Sequence, residues 1–191
     1  DLRKIVMGLF IVLLVTAGGP VWAANPRVKL ETTQGVLVLE LTPRLAPRTV
    51  DNFLQYVKDG FYDGTLFHRV IKGFMIQGGG LTETMERKPT RPPIGNEAAN
   101  GLKNRRGSIA MARTGDPHSA TAQFFINTVD NPSLDFRDKS AAGWGYCVFG
   151  RVVQGMEVVD AIAAVQTGRR AGRQDVPLEP VILHRASVVT P

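Results

Sequence analysis

Residues 67–80 read FHRVIKGFMIQGGG. Within that stretch Arg69, Phe74, Met75 and Gln77 gather one permanent cation, two apolar side chains and one amide, with glycine on either side. If residues 66–71 form a strand, side chains alternate between faces and Arg69 shares one with Phe67 and Ile71. A guanidinium on an apolar face must find acceptors or line an open cleft, because an unpaired buried charge is very costly. Further on, Met75 and Gln77 share a face while Phe74 and Ile76 take the other, and a bend at Gly73 decides whether Phe74 joins the cleft. This is the composition of a binding site, although a surface ion pair beside a core strand would use the same residue types. Gly78, Gly79 and Gly80 lack both the glycine spacing and the Lys-Ser/Thr of a phosphate-binding loop.

The inventory sets other chemistries aside. His68, His118 and His184 are far apart in sequence and have no Cys or carboxylate partners at metal-ligand spacing, so no metal site is expected. There is no G-x-S-x-G elbow, and His118-Ser119 reads as a loop dipeptide rather than a nucleophile with its base. Covalent catalysis is therefore not expected, nor is a cofactor. His68, alternating to the strand face opposite Arg69, reads as a hydrogen-bonded structural histidine. Cys147 is the only cysteine, which rules out an internal disulfide. Its apolar surroundings, Tyr146, Val148 and Phe149, describe a buried, inert thiol.

The elements that must hold the focal stretch can be read on both sides of it. At the start, Arg3 and Lys4 precede an apolar run over 5–17, and Val21-Trp22-Ala23 supplies small residues at a cut before Ala24, so 1–23 reads as a cleavable export signal. The run is short for a membrane span. The remaining residues, 24–191, suit one domain with its own core. Net charge is +6, which invites an anionic partner, but the basic residues are scattered. The densest group, Arg169, Arg170 and Arg173, reads as a solvated loop without interleaved aromatics, so dedicated nucleic-acid binding is not expected. Residues 28–33 and 36–42 form a hairpin around Gln34-Gly35. Pro47 followed by Val50, Phe53, Leu54 and Val57 at helical spacing, ending at Gly60, gives a helix. Residues 83–95, rich in Pro, Thr and charge, form an exposed loop. Strands follow over 108–113, 123–128 and 146–153, then a helix over 156–165 and a final strand over 181–189. Many short strands with two well-separated helices favour a mainly antiparallel sheet closed as a barrel, with the helices covering it.

The focal stretch, taken with GSIAMART at 107–114, AQFFINT at 122–128 and VFGRVVQGMEVVD at 148–160, resembles the cyclophilin-type peptidyl-prolyl cis/trans isomerases, and most of all their bacterial periplasmic branch. The motifs occur in the family's order across nearly all of the mature chain. The resemblance implies a mainly β fold, an eight-stranded antiparallel closed barrel capped by two helices, with a proline-binding groove on its outer face. It implies Arg69 as the catalytic arginine, and Phe74, Met75, Phe125 and Leu134 as the proline pocket. Gln77 and Gln123 hold the substrate, Ala112 and Arg113 line and hydrogen-bond the peptide, and Tyr146 stands where many relatives have histidine. Many eukaryotic relatives carry Asn at the place of Arg113 and Trp at that of Ser133; the second change implies a less apolar rim and weak cyclosporin binding.

The expected partner is a proline-containing segment of an unfolded or partly folded exported protein, met in the periplasm by a monomer that is free of the membrane once its signal is cut. Rotation about an X-Pro bond requires no bond to be made or broken. It needs the proline ring held still, and a donor for the prolyl nitrogen when twisting restores its lone pair, which is the role implied for Arg69. A scaffold that binds proline peptides without turning them over is the alternative, and it has no need of a cation facing an amide nitrogen.

Overall fold

The computed structural model describes residues 24–189; the segment read as an export signal, 1–23, lies outside them. The expected hairpin is β1 (Arg27–Thr32) and β2 (Gly35–Leu41), paired from Arg27 opposite Glu40 to Thr32 opposite Gly35. Helix α1 (Pro47–Lys58) follows, with proline in its first turn and Val50, Phe53, Tyr56 and Val57 buried. Its open N-terminus is closed from a distance. The Glu97 carboxylate accepts the backbone N–H of Arg48 (3.2 Å) and Thr49 (2.9 Å) and the Thr49 hydroxyl (2.7 Å), satisfying donors that a helix cannot satisfy itself.

The chain then lays down β3 (Thr65–Leu66), β4 (Arg69–Ile71), β5 (Met75–Gly78), β6 (Ser108–Met111), β7 (Phe124–Asn127) and β8 (Val148–Gln154). Helix α2 (Met156–Ala163), the pair β9 (Thr167–Arg170) and β10 (Arg173–Pro177), and β11 (Ile182–Val189) complete it. One antiparallel sheet runs in the order β3-β11-β1-β2-β8-β6-β7-β5-β4. Its two ends, β3 and β4, are separated in sequence only by Phe67 and His68, so the curled sheet comes back to the stretch on which it began. Counted that way, residues 65–71 are one interrupted strand and eight strands surround the core.

Inside, the rings of Phe53, Tyr62, Phe124 and Phe149 meet at centroid distances of 5.2–5.7 Å. The Tyr62 hydroxyl donates to the Ala122 carbonyl at 2.8 Å, so the one polar tip in this cluster is satisfied. Both helices add their inner faces to the same core, Val159 and Ile162 coming from α2.

Three expectations about local structure are corrected. The segment around Arg169, Arg170 and Arg173 is a hairpin and not a loop: β9 pairs with β10 through a turn in which Ala171 and Gly172 take φ of 49° and 75°. Two positive φ values match the twist of a tight hairpin, and the side chains stay largely exposed as expected. Strand β6 stops at Met111 and β8 starts only at Val148, so Ala112, Arg113 and Tyr146, which line the site, lie just beyond the strand ends. Finally, Phe67 does not share a face with Arg69. The strand is interrupted at Phe67-His68, which sends Phe67 into the core beside Val70 while Arg69 points outward.

Candidate active site

The turn between β4 and β5 decides the shape of the focal stretch. Gly73 takes φ of 71° and the Phe74 N–H donates to the Ile71 carbonyl at 3.1 Å. This tight turn carries Phe74 round onto the outer face with Met75. Across the ladders Arg69 stands opposite Gln77, Gln77 opposite Phe125, and Phe125 opposite Ala110. Directly paired residues share a face, so a single row crosses four strands on the outside of the barrel. Around it Met75, Ala110, Phe125 and Val148 are buried as a patch separate from the main core.

On this patch lies a cavity of about 150 Å³ lined by Arg69, Phe74, Met75, Gln77, Ala112, Arg113, Phe125, Leu134 and Tyr146. The remaining predicted site residue, Gln123, stands beside it and accepts from Gln77 Nε2 at 3.1 Å. Arg69 Nη1 donates to Gln77 Oε1 at 3.5 Å, a long contact, and no carboxylate pairs with Arg69 among the described residues. The glycine run explains how close these parts lie. A Cβ on Gly79 would sit 2.7 Å from the Phe124 ring, and one on Gly80 would occupy the space of the Gln123 side chain.

The opposite wall is tied back on itself. Tyr146 meets Phe125 edge to face at 5.6 Å. Arg113 lies over the Tyr146 ring at 4.5 Å and donates through Nε to the Gly145 carbonyl at 3.0 Å. Leu134 closes a short helical turn, residues 132–134, and its carbonyl accepts the Tyr146 N–H at 2.9 Å. Ser133 is exposed on that turn.

Sequence reasoning missed the residues that hold these walls together. Asn104, Asn127 and Asn131 are buried and bonded to one another. Asn127 Nδ2 donates to Asn104 Oδ1 (3.1 Å), and Asn131 Nδ2 to Asn127 Oδ1 (2.8 Å). From this group Asn131 Nδ2 reaches the Phe74 carbonyl (2.9 Å) and Asn104 Nδ2 the Leu134 carbonyl (3.1 Å). The two turns that supply Phe74 and Leu134 thus converge on one amide cluster. The signal was an asparagine ending the apolar run Phe124–Ile126, where burial demands partners.

His68 matches its expected structural role only in part. It is buried, and its Nδ1 has no hydrogen-bond partner among the described residues. Burial, and then the charges of Arg173, Arg69 and Arg87, push its pKa down to about 4 against the opposing Leu66 backbone, so it is neutral at neutral pH. Cys147 is inert as expected: burial raises its pKa to about 11.

An antiparallel barrel carrying this outer pocket is the architecture of a known class. The family described as cyclophilin type peptidyl-prolyl cis-trans isomerase/CLD matches residues 27–188, and the chain belongs to that family. It is 58% identical to a peptidyl-prolyl cis-trans isomerase of Streptomyces antibioticus over 85% of this chain and 98% of that one. It is equally 58% identical to peptidyl-prolyl cis-trans isomerase B of Escherichia coli K12, over 84% and 98%. Among solved structures, a Cryptosporidium parvum cyclophilin type isomerase crystallised in the presence of the dipeptide ala-pro superposes with a TM-score of 0.71. It is 27% identical, covering 86% of this chain and 99% of that one. The chain is thereby a peptidyl-prolyl cis-trans isomerase.

Proposed function

We propose that Arg69 is the residue by which this isomerase lowers the rotational barrier, and that the adjoining cavity is its proline pocket. Turning the X-Pro bond forfeits amide resonance, ~18–20 kcal/mol of barrier. The observation that carries the reading is a permanent cation, with no carboxylate partner among the described residues, at the rim of a small cavity that Phe74, Met75, Phe125 and Leu134 also line. Phe74, Met75, Phe125 and Leu134 grip the ring while the preceding carbonyl turns. As the nitrogen becomes pyramidal its lone pair returns and accepts from the guanidinium, an interaction nearly absent in the planar ground state. Gln77 and Gln123, already bonded to each other, steady Arg69 and the substrate backbone; Ala112, Arg113 and Tyr146 flank the peptide's path. No proton is transferred, so no group at the site needs a tuned pKa.

The clients we assign are proline-containing segments of exported proteins that are unfolded or partly folded, met in the periplasm by a monomer. The charged start at Arg3 and Lys4, the apolar run after it and Val21-Trp22-Ala23 support export. Exchange spectroscopy on a short X-Pro peptide tests the reading: cis and trans signals should interconvert faster in the presence of the protein. Peptide binding with no faster exchange would instead favour a scaffold that only holds its ligand.

A further inference from the structure

Next to the proline pocket is a second, larger cavity of about 400 Å³. The two are continuous, with Arg69, Gln77, Ala112 and Arg113 lining both. The larger one adds Arg87 and Arg173, and no carboxylate lines it. Four arginines elsewhere on the barrel, Arg27, Arg91, Arg106 and Arg151, are each paired with an Asp or Glu. Arg87 and Arg173 are in no such pair among the described residues.

The local structure delivers this charge deliberately to one place. In a regular strand neighbouring side chains face opposite ways, yet Arg173 and Gln174 both line the cavity. They do so because the β9–β10 pairing is irregular between Arg173 and Val176, with Asp175 at φ of 57°, a bulge of the kind that re-aims side chains. Strand β10 in turn packs on β4, which carries Arg69. His68, at the same cavity, has a buried Nδ1 without a partner among the described residues; burial first, and then the positive charges of Arg173, Arg69 and Arg87, lower its basicity.

We propose that this cavity takes the carboxylate of an Asp or Glu in the client, placed within about three residues of the isomerised proline. An extended chain advances ~3.3–3.6 Å per residue, so a segment with its proline in the first cavity passes the second within that distance. The enzyme then prefers acidic X-Pro segments over neutral ones and disfavours basic ones. This rests on the proline-pocket reading, and the experiment separates the two.

Peptides with uncharged ends carry Glu, Gln or Lys at each of the three positions on either side of one proline, and exchange spectroscopy gives kcat/KM for each. At one or more positions Glu should exceed Gln by about three- to tenfold, chiefly through KM, with Lys below Gln. The advantage should shrink as salt rises, since the pairs are partly solvated. The double variant Arg87→Gln, Arg173→Gln should abolish it while leaving turnover of the Gln peptides unchanged, and each single variant should remove part. Gln peptides turned over normally with Glu no better at any position overturn this proposal alone, as does a Glu advantage that survives the double variant. No acceleration of any peptide overturns it together with the proline-pocket reading.

Discussion

Strands β5 and β7 present two faces that are equally buried and do opposite things. Inward, Ile76, Phe124 and Ile126 join the aromatic core; outward, Met75 and Phe125 floor the pocket. Phe124 is 0% exposed and Phe125 4%, so burial alone does not tell them apart. The difference lies in what surrounds them. The inner face is packed into the main core, with the rings of Phe53, Tyr62 and Phe67 against Phe124, whereas the outer face is left with an open cavity rimmed by Arg69, Gln77 and Arg113. One period-two alternation therefore supplies stability on one side of the sheet and the proposed binding site on the other, and substitutions should divide accordingly.

The largest expected effect is on the inner face. Phe124→Ala removes a ring that touches Phe53, Tyr62 and Phe67, and should cost about 3–5 kcal/mol in denaturant unfolding. Should Phe125→Ala cost as much stability, the proposed division between the faces would collapse.

A second difference is titratable. His68 takes up a proton near pH 6.5 in the unfolded chain but only near 4 in the folded protein. Between those values the unfolded state binds more protons, so stability falls as pH drops from 6.5 towards 4 and is fully present above 6.5. The loss is bounded at about 3 kcal/mol. Chemical denaturation at pH 7 and pH 5 should show it, and His68→Gln should flatten the profile; an unchanged slope in that variant assigns the effect to other groups.

Asn127→Ala bridges the two regions, because Asn127 is bonded to Asn104, Asn131 and Ser108. Leaving those partners unsatisfied should cost about 1–3 kcal/mol. Displacing the loops that carry Phe74 and Leu134 should also lower kcat/KM by roughly tenfold. Thermal melting and peptide turnover on one preparation check both.

These contrasts also mark what was legible in the sequence. Alternation placed Met75 and Gln77 on one face and Phe74 on the other unless Gly73 bent the chain; the turn at Gly73 settles that open point and brings Phe74 to them. The helix over Pro47–Lys58 was plain from its proline and apolar spacing. Phe67 was misplaced because alternation presumes an unbroken strand, and the interruption at Phe67-His68 is set by the closing of the sheet, a long-range event. The hairpin at Arg169 to Arg173 was hidden since its polar residues carry no alternating apolar signal; its turn is fixed by positive φ at Ala171, which composition does not advertise. The asparagine cluster was invisible for a related reason: its members come from three separate segments.

The central claim is that Arg69 acts on the twisted bond and not on the resting peptide. Its side chain is exposed and pairs with no carboxylate among the described residues, so Arg69→Ala should leave the melting temperature nearly unchanged. The decisive measurement is kcat/KM and peptide affinity on Arg69→Ala and Arg69→Lys, side by side with the unmodified protein. The account predicts a loss of about a hundredfold to a thousandfold in kcat/KM for Ala and most of that for Lys, whose charge remains without the planar fork, with affinity changed far less. A folded Arg69→Ala protein with near-normal turnover, or one whose affinity and turnover fall in parallel, would contradict it.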